Sequence, residues 1–388
     1  MKIKINRDAL ADIVTRGVSS APKNSPSVIA NNARIVVRDS VISIASTDFD
    51  MMVEASGLCE MSRPGATTVD AAKLKMVVDR LPKGVDVSIE FDDTKYEVIV
   101  KAGRSRTSFP ALAAEDWPAR DSNVSGTKFA LSGADLVKLF SHTSQALSNV
   151  PSSPMAGVFL HVREDGGRKL LASVGTTGMI LILSTIDLPK GAEGMPCQDG
   201  QPPGVILSSE TVNAVMRLFK SADKVNIEVD KSTILFTTEN IRFSSAMLVG
   251  GYPNYAPLVA NPSPTRVLVD RASCINTVSL LEPFASKELG HRLQCAGTED
   301  GFVVAVGSQG GGGVDVVEAE IDGEVAAFGI NCQFLKTMLH AFKAEGIVLH
   351  PDTHNRRVMF KSASEPDLIG AIAMMNITTE MAESPKHE

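Results

Sequence analysis

Short alternating segments that run straight into helical stripes recur along this chain. In Lys2-Ile3-Lys4-Ile5-Asn6 apolar and polar residues alternate with the period of a half-buried strand, and beyond Asn6 the apolar pairs Ala9-Leu10 and Ile13-Val14 fall at helical spacing. The same succession returns at Lys128-Phe129-Ala130-Leu131-Ser132, ahead of Leu136-Val137 and Leu139-Phe140. It returns again at Arg266-Val267-Leu268-Val269-Asp270, ahead of Cys274-Ile275, Val278 and Leu281. Asn6, Ser132 and Asp270 are N-cap residue types, whose side chains accept from the unpaired amides of a first helical turn.

A second trio follows the same rule. Asp70, Ser208 and Asn331 each close an apolar run and open a stripe: Leu74, Val77-Val78 and Leu81; Val212, Val215-Met216 and Leu218-Phe219; Phe334-Leu335, Met338-Leu339 and Phe342. Each stripe ends at a turn signal (82–84, 221–224, 344–346) and an alternating strand follows. The first caps are 126 and 138 residues apart, the second 138 and 123. Two interleaved series with similar spacing predict a threefold repeat, each unit holding two helices on antiparallel sheet, an α+β fold. Turn-rich stretches place the domains at 1–124, 125–261 and 262–380, with a polar C-terminal tail at 381–388.

Composition narrows the function. The chain has 388 residues, 44% hydrophobic and 21% charged, as expected of packed globular domains. The N-terminus lacks a signal-peptide core, and no apolar run reaches membrane-spanning length, so the expectation is a cytoplasmic protein with no membrane partner. Five widely spaced cysteines form no CxxC pair, and no metal or other cofactor is expected. The formal net charge of −7 argues by itself against nucleic acid, but the charge is uneven. The six helical stripes sum to +3, leaving −10 elsewhere. If the helices lined one surface, that surface would attract phosphate.

Four motifs hint at other chemistry, and none carries it. The glycine run 310–313 lacks the frame of a phosphate-binding loop and reads as a hairpin turn. Ser221 and Lys224 have nucleophile–base spacing but fall in a turn. His350 and His354 flank Pro351, which favours a turn over a metal-binding helix face, and Asp92-Asp93 reads as a solvated strand end. With no catalytic constellation in the sequence, the chain is expected not to be an enzyme.

Further segments resemble the bacterial DNA polymerase sliding clamp family across nearly the whole chain. They are Ser46-Thr47-Asp48-Phe49-Asp50, Pro64-Gly65-Ala66-Thr67-Thr68-Val69, Gly103-Arg104-Ser105-Arg106-Thr107-Ser108-Phe109 with Trp117-Pro118, Met155-Ala156-Gly157-Val158-Phe159, Gly251-Tyr252-Pro253-Asn254-Tyr255 and Lys287-Glu288-Leu289-Gly290-His291-Arg292-Leu293. The resemblance implies a head-to-tail homodimeric ring of six domains. Twelve helices would line a hole threaded by duplex DNA, which would be held without regard to sequence. DNA-facing residues would be Lys23, Lys73, Arg80, Lys138, Arg217, Lys220, Lys336 and Lys343. It also implies that the DNA polymerase III catalytic subunit, clamp-loader subunits and other proteins with a clamp-binding motif dock a short peptide in an apolar pocket. Carried across, that pocket is Thr176, Gly178, Met179, Ile180, Leu181, Pro253, Leu258 and Met374.

The chain departs from the family at this pocket. The usual T-D-G-H-R-L reads Thr176-Thr177-Gly178-Met179-Ile180-Leu181, Ala246 and Val249 replace a lysine and an aspartate, and the tail reads Met374-Met375-Asn376-Ile377. These changes predict an altered partner preference. They also leave room for a paralogous or mobile-element clamp, or a protein scaffold of the same fold that does not bind DNA.

Overall fold

The structure, a computed structural model, describes residues 1–22, 25–118, 124–197, 200–308 and 311–377. Among the described residues six long helices occupy the six stripes: α1 (Arg7–Gly17), α2 (Ala71–Arg80), α3 (Gly133–Thr143), α4 (Ser209–Phe219), α6 (Arg271–Leu281) and α7 (Cys332–Ala341); the short α-helix α5 spans Ala256–Val259. Asn6, Asp70, Asp270 and Asn331 cap their helices as predicted, accepting from helix amides at 2.7–3.0 Å. Ser132 accepts from the Asp135 amide at 3.0 Å, while the Asp135 carboxylate accepts from the Ser132 amide at 3.2 Å, a reciprocal capping box.

The chain divides into two compact units. One comprises Met1–Val137, Pro189–Cys197 and Glu210–Met247, the other Lys138–Leu188, Gln198–Ser209 and Leu248–Glu388. The first unit is built on one antiparallel sheet of 13 strands, with Thr127–Leu131 at one edge and Glu60–Arg63 at the other. Helices α1 and α2 pack on one another, and Leu10, Ile13, Val14, Leu74 and Val78 enter a core with Ile35, Ile44, Val87 and Val100. The second unit has a nine-stranded and a four-stranded antiparallel sheet. Here α6 and α7 pack together, burying Cys274, Val278, Leu335 and Met338 with Phe302 and Phe360.

The threefold repeat is visible in the element order and in the register. Three times the chain runs strand, helix, three or four strands, strand, helix, three strands. In each repeat the opening strand pairs antiparallel with the strand after the second helix, aligning Ile3 with Ile89, Phe129 with Ile227 and Val267 with Leu349. The first amide of each leading helix donates to the turn after the second: Arg7 to Val85, Gly133 to Ala222 and Arg271 to Glu345, at 2.7–2.9 Å. Arg7 and Arg271 also donate side-chain bonds to the carbonyls near that turn (Val78 and Asp79; Ala344). The middle repeat has glycine at this position, where a Cβ would overlap the Phe219 carbonyl oxygen.

Two expected turns are strand instead. Gly311, Gly312 and Gly313 open the strand Gly311–Val317, paired with Ser308, Gly307 and Val306, because the ladder bonds need only backbone; Gly310 lies outside the described residues. His350 and Pro351 belong to the strand Gly346–Asp352, with Pro351 opposite Val358.

Candidate functional site

The eight residues of the expected groove all belong to the second unit. Thr176 ends one strand, Arg168–Thr176, and Ile180 begins the next, Ile180–Asp187. The turn between them is knotted by side chains. Thr176 Oγ1 donates to the Ile180 carbonyl at 2.8 Å and accepts from Gly178 N at 3.0 Å, and Thr177 Oγ1 accepts from the amides of Met179 and Ile180. Gly178 sits at φ 90°, a left-handed conformation that suits glycine. The turn thus displays Met179 to solvent, 47% exposed, while Ile180 and Leu181 descend into the core.

The other walls converge on the same turn. Ala373 N donates to the Met179 carbonyl at 2.8 Å, and Ile180 is paired with Ile372, which brings Met374 beside the turn. Leu181 shares one buried cluster with Tyr252, Tyr255, Val259 and Ala371. Pro253 and Leu258 lie exposed on the segment that carries those tyrosines. With Met179 and Leu258 (40%) open to solvent, this is an apolar rim of the kind that accepts hydrophobic anchors.

Sequence reasoning missed the side chains that hold these walls. Arg357, 6% exposed, donates to the carbonyls of Pro257, Ala260 and Asn261, and its Nε lies 3.6 Å from Asp352. Tyr252 donates to the Val174 carbonyl at 3.1 Å and Gln201 to the Tyr252 carbonyl at 2.8 Å. A cavity of about 540 Å³, lined by Phe159, His161, Arg163, Tyr252 and Tyr255 among others, lies beside Pro253. The only sequence signal for this support was the pair of tyrosines flanking Pro253-Asn254.

The tautomer of His161 follows from its neighbours. Its Nδ1 is 2.9 Å from the Val162 carbonyl, which can only accept, so Nδ1 carries the proton. Nε2 then accepts from the Tyr255 hydroxyl at 2.7 Å. The ring stacks on Phe159 at 4.4 Å, and burial pushes its pKa down to about 4. The native state therefore holds His161 neutral, while the unfolded chain takes up a proton below its ordinary value of 6.5. This stabilisation is complete above that value and is lost as pH falls towards 4, by up to about 3 kcal/mol. Urea titrations at pH 7 and pH 4.5 should show the loss, and His161→Gln should reduce the difference.

The basic candidates differ in availability. Lys23 lies outside the described residues. Lys73 reaches Asp70 at 3.6 Å, Lys138 reaches Asp367 at 2.7 Å and Lys336 reaches Glu282 at 2.6 Å. Arg217 donates to the Ser19 carbonyl at 3.4 Å. Arg80, Lys220 and Lys343 are exposed and, among the described residues, have no carboxylate within ion-pair distance. Among the described residues no group of three or more His, Cys, Asp or Glu side chains could hold a metal, and no helix is long and apolar enough to cross a membrane.

Known proteins share both the sequence pattern and the fold. Residues 1–121 match the family described as DNA polymerase III beta subunit, N-terminal domain. The beta sliding clamp of Caulobacter vibrioides is 27% identical over 341 residues, covering 86% of this chain and 89% of that protein. The beta sliding clamp of Pseudomonas aeruginosa is 24% identical over 383 residues, covering 97% and 100%. A crystal structure of the Caulobacter crescentus beta sliding clamp superposes with a TM-score of 0.90 at 24% identity, covering 97% of this chain and 99% of that one. The family match over residues 1–121, the full-length relatives, the shared fold and the internal threefold repeat agree in making this chain similar to the beta sliding clamps along nearly its whole length.

Proposed function

We propose that two copies of this chain close head to tail into a ring around duplex DNA and tether a replicative DNA polymerase to it. The protein acts as a non-catalytic processivity factor in the cytoplasm. The observation that carries this reading is the threefold repetition of two capped helices on antiparallel sheet, in a chain whose relatives are sliding clamps. Domains at 1–124, 125–261 and 262–380 give each protomer six helices for the lining. Head-to-tail contacts form a closed ring only when the rotation closes.

Strand edges support the assembly. Gly311–Val317 is an edge strand of the four-stranded sheet, and Leu280 (61% exposed), Phe284 (38%) and Val314 (40%) offer apolar surface on and near it. Ser105–Leu112 of a second copy is a fitting complement, because among the described residues its edge away from Glu97–Ala102 is paired only at Ala111 and Leu112. An unpaired strand edge is a template for pairing with another chain. The groove formed by Thr176, Gly178, Met179, Ile180, Leu181, Pro253, Leu258 and Met374 would receive the partner's peptide. With Met179 and Ile180 in place of the family's His–Arg pair, this groove selects a different partner set.

The lining would hold DNA by diffuse phosphate attraction, and the cations already paired to carboxylates keep that attraction weak enough for sliding. Arg80, Lys220 and Lys343 would carry most of it. Replacing all three by glutamine should flatten the dependence of DNA binding on salt, by about one unit of logarithmic slope for each phosphate that is no longer neutralised. Measuring DNA association between 50 and 200 mM salt tests this, and an unchanged slope would remove these residues from the lining.

A further inference from the structure

The hydrogen-bond knot of residues 176–180 occurs a second time, in the first unit. Between the strands Val41–Thr47 and Met51–Leu58, Thr47 Oγ1 donates to the Met51 carbonyl at 2.7 Å and accepts from Phe49 N at 3.0 Å. The Asp48 carboxylate accepts from the amides of Asp50 and Met51. The Asp50 carbonyl accepts from Ala246 N at 2.9 Å and Met51 pairs with Ser245, just as the Met179 carbonyl accepts from Ala373 N and Ile180 pairs with Ile372. Thr47, Phe49 and Asp50 therefore stand where the other turn has Thr176, Gly178 and Met179.

Phe49 departs from that pattern at a cost. It adopts φ 79°, close to the 90° of Gly178, in a region where a bulky side chain is an outlier. A Cβ at Gly178 would meet nothing within 4 Å, and the Phe49 ring at the equivalent place is 54% exposed. A ring so exposed returns little burial for the strain of its backbone. Strained backbone of this kind clusters at functional sites. The surroundings are apolar beneath and acidic around. Trp117 is buried with Ala45 and Met52, Ile29 packs on them, and Val28 beside Ile29 is 69% exposed. Asp48 and Asp50 flank Phe49, and the exposed Glu115 and Asp116 lead into Trp117. The Arg34 guanidinium is engaged over the Trp117 ring, 4.7 Å from its centroid.

We propose that Phe49 and the carboxylates around it form a docking site in the first unit for a segment of another protein that carries apolar side chains between lysines or arginines. The apolar side chains would close over the Phe49 ring, since large aromatic side chains are favoured as interface anchors once water is excluded. The flanking cations would pair with Asp50 and its acidic neighbours and fix the direction of the segment. Every residue named for the site belongs to the first unit, so the proposal stands apart from the groove at residues 176–181.

The sole tryptophan makes the site observable. Trp117 emission of the full chain is followed while tryptophan-free heptapeptides are added. One holds a run of leucines between pairs of lysines, and a second holds the same run between pairs of glutamates. The expected result is a saturable change with the lysine-flanked peptide and about fivefold weaker binding of the glutamate-flanked one at low salt, the gap narrowing as salt rises. Phe49→Gly should weaken the lysine-flanked peptide about tenfold, and Asp50→Asn about twofold. Glycine suits this backbone, so Phe49→Gly should unfold in urea no earlier than the parent. An emission that does not respond, equal affinity for the two peptides, or an unchanged affinity in Phe49→Gly overturns the site. An earlier urea midpoint for Phe49→Gly would make Phe49 a packing residue, and a change in its sedimenting mass would make the patch a contact between copies of this chain. Either result also overturns the proposal.

Discussion

Replacing Gly175 by valine is expected to unfold the region around the third helix. Gly175 is buried in the strand Arg168–Thr176, directly beneath the last residue of α3. A Cβ there would overlap the carbonyl oxygen of Thr143, and the Leu147 side chain stands 3.3 Å away. The helix end has no freedom to retreat. Thr143 Oγ1 is 2.8 Å from the Leu139 carbonyl and 3.0 Å from Ser173 Oγ, on the same strand as Gly175. Overpacking of side chains costs about 1–3 kcal/mol; here the obstacle is backbone, and the cost should reach at least about 3 kcal/mol, a large share of a typical stability. Urea unfolding followed by circular dichroism should show an early transition. The sole tryptophan, Trp117, lies buried in the other unit with its Nε1 on the Asn32 carbonyl at 3.0 Å, and its fluorescence should change later. A midpoint equal to the parent's would contradict the packing described for this strand.

The second large effect concerns assembly. Introducing aspartate at both Leu280 and Val314 should convert the protein from dimer to monomer. Both residues are substantially exposed, so the change costs the isolated chain little. In the dimer it would bury two charges per interface without partners, which is far more costly than giving up the apolar packing of two side chains. Sedimentation should report the 41.2 kDa mass of one chain in place of about twice that. A dimer that persists would place the interface elsewhere.

The repeat was legible in the sequence because it is written in local signals. N-cap residues, apolar spacing and turn punctuation are each local, and the helices stand where they predict. The glycine run misled because glycine marks turns more often than strands, while backbone ladder bonds ask nothing of the side chain. The proposed groove residues come from resemblance alone. Their supports, Arg357, Tyr252 and His161, were not legible at all, because each acts across 78–100 positions of chain. The display of Phe49 was invisible for another reason. Its left-handed backbone is a property of the folded turn and not of the residue.

The acidic net charge misdirects a reading from composition alone, since the helices are mildly basic on an acidic body. Three of the seven described basic candidates are already paired with carboxylates, which leaves few cations to hold phosphate. Retention on DNA must then come from enclosure more than from affinity. The direct measurement is the fraction of protein, after loading, that remains on closed circular DNA and on the same DNA cut once. A ring stays on the circle and slides off the linear ends, and the Leu280/Val314 aspartate variant should stay on neither. Equal loss of the parent protein from circular and linear DNA would contradict the ring.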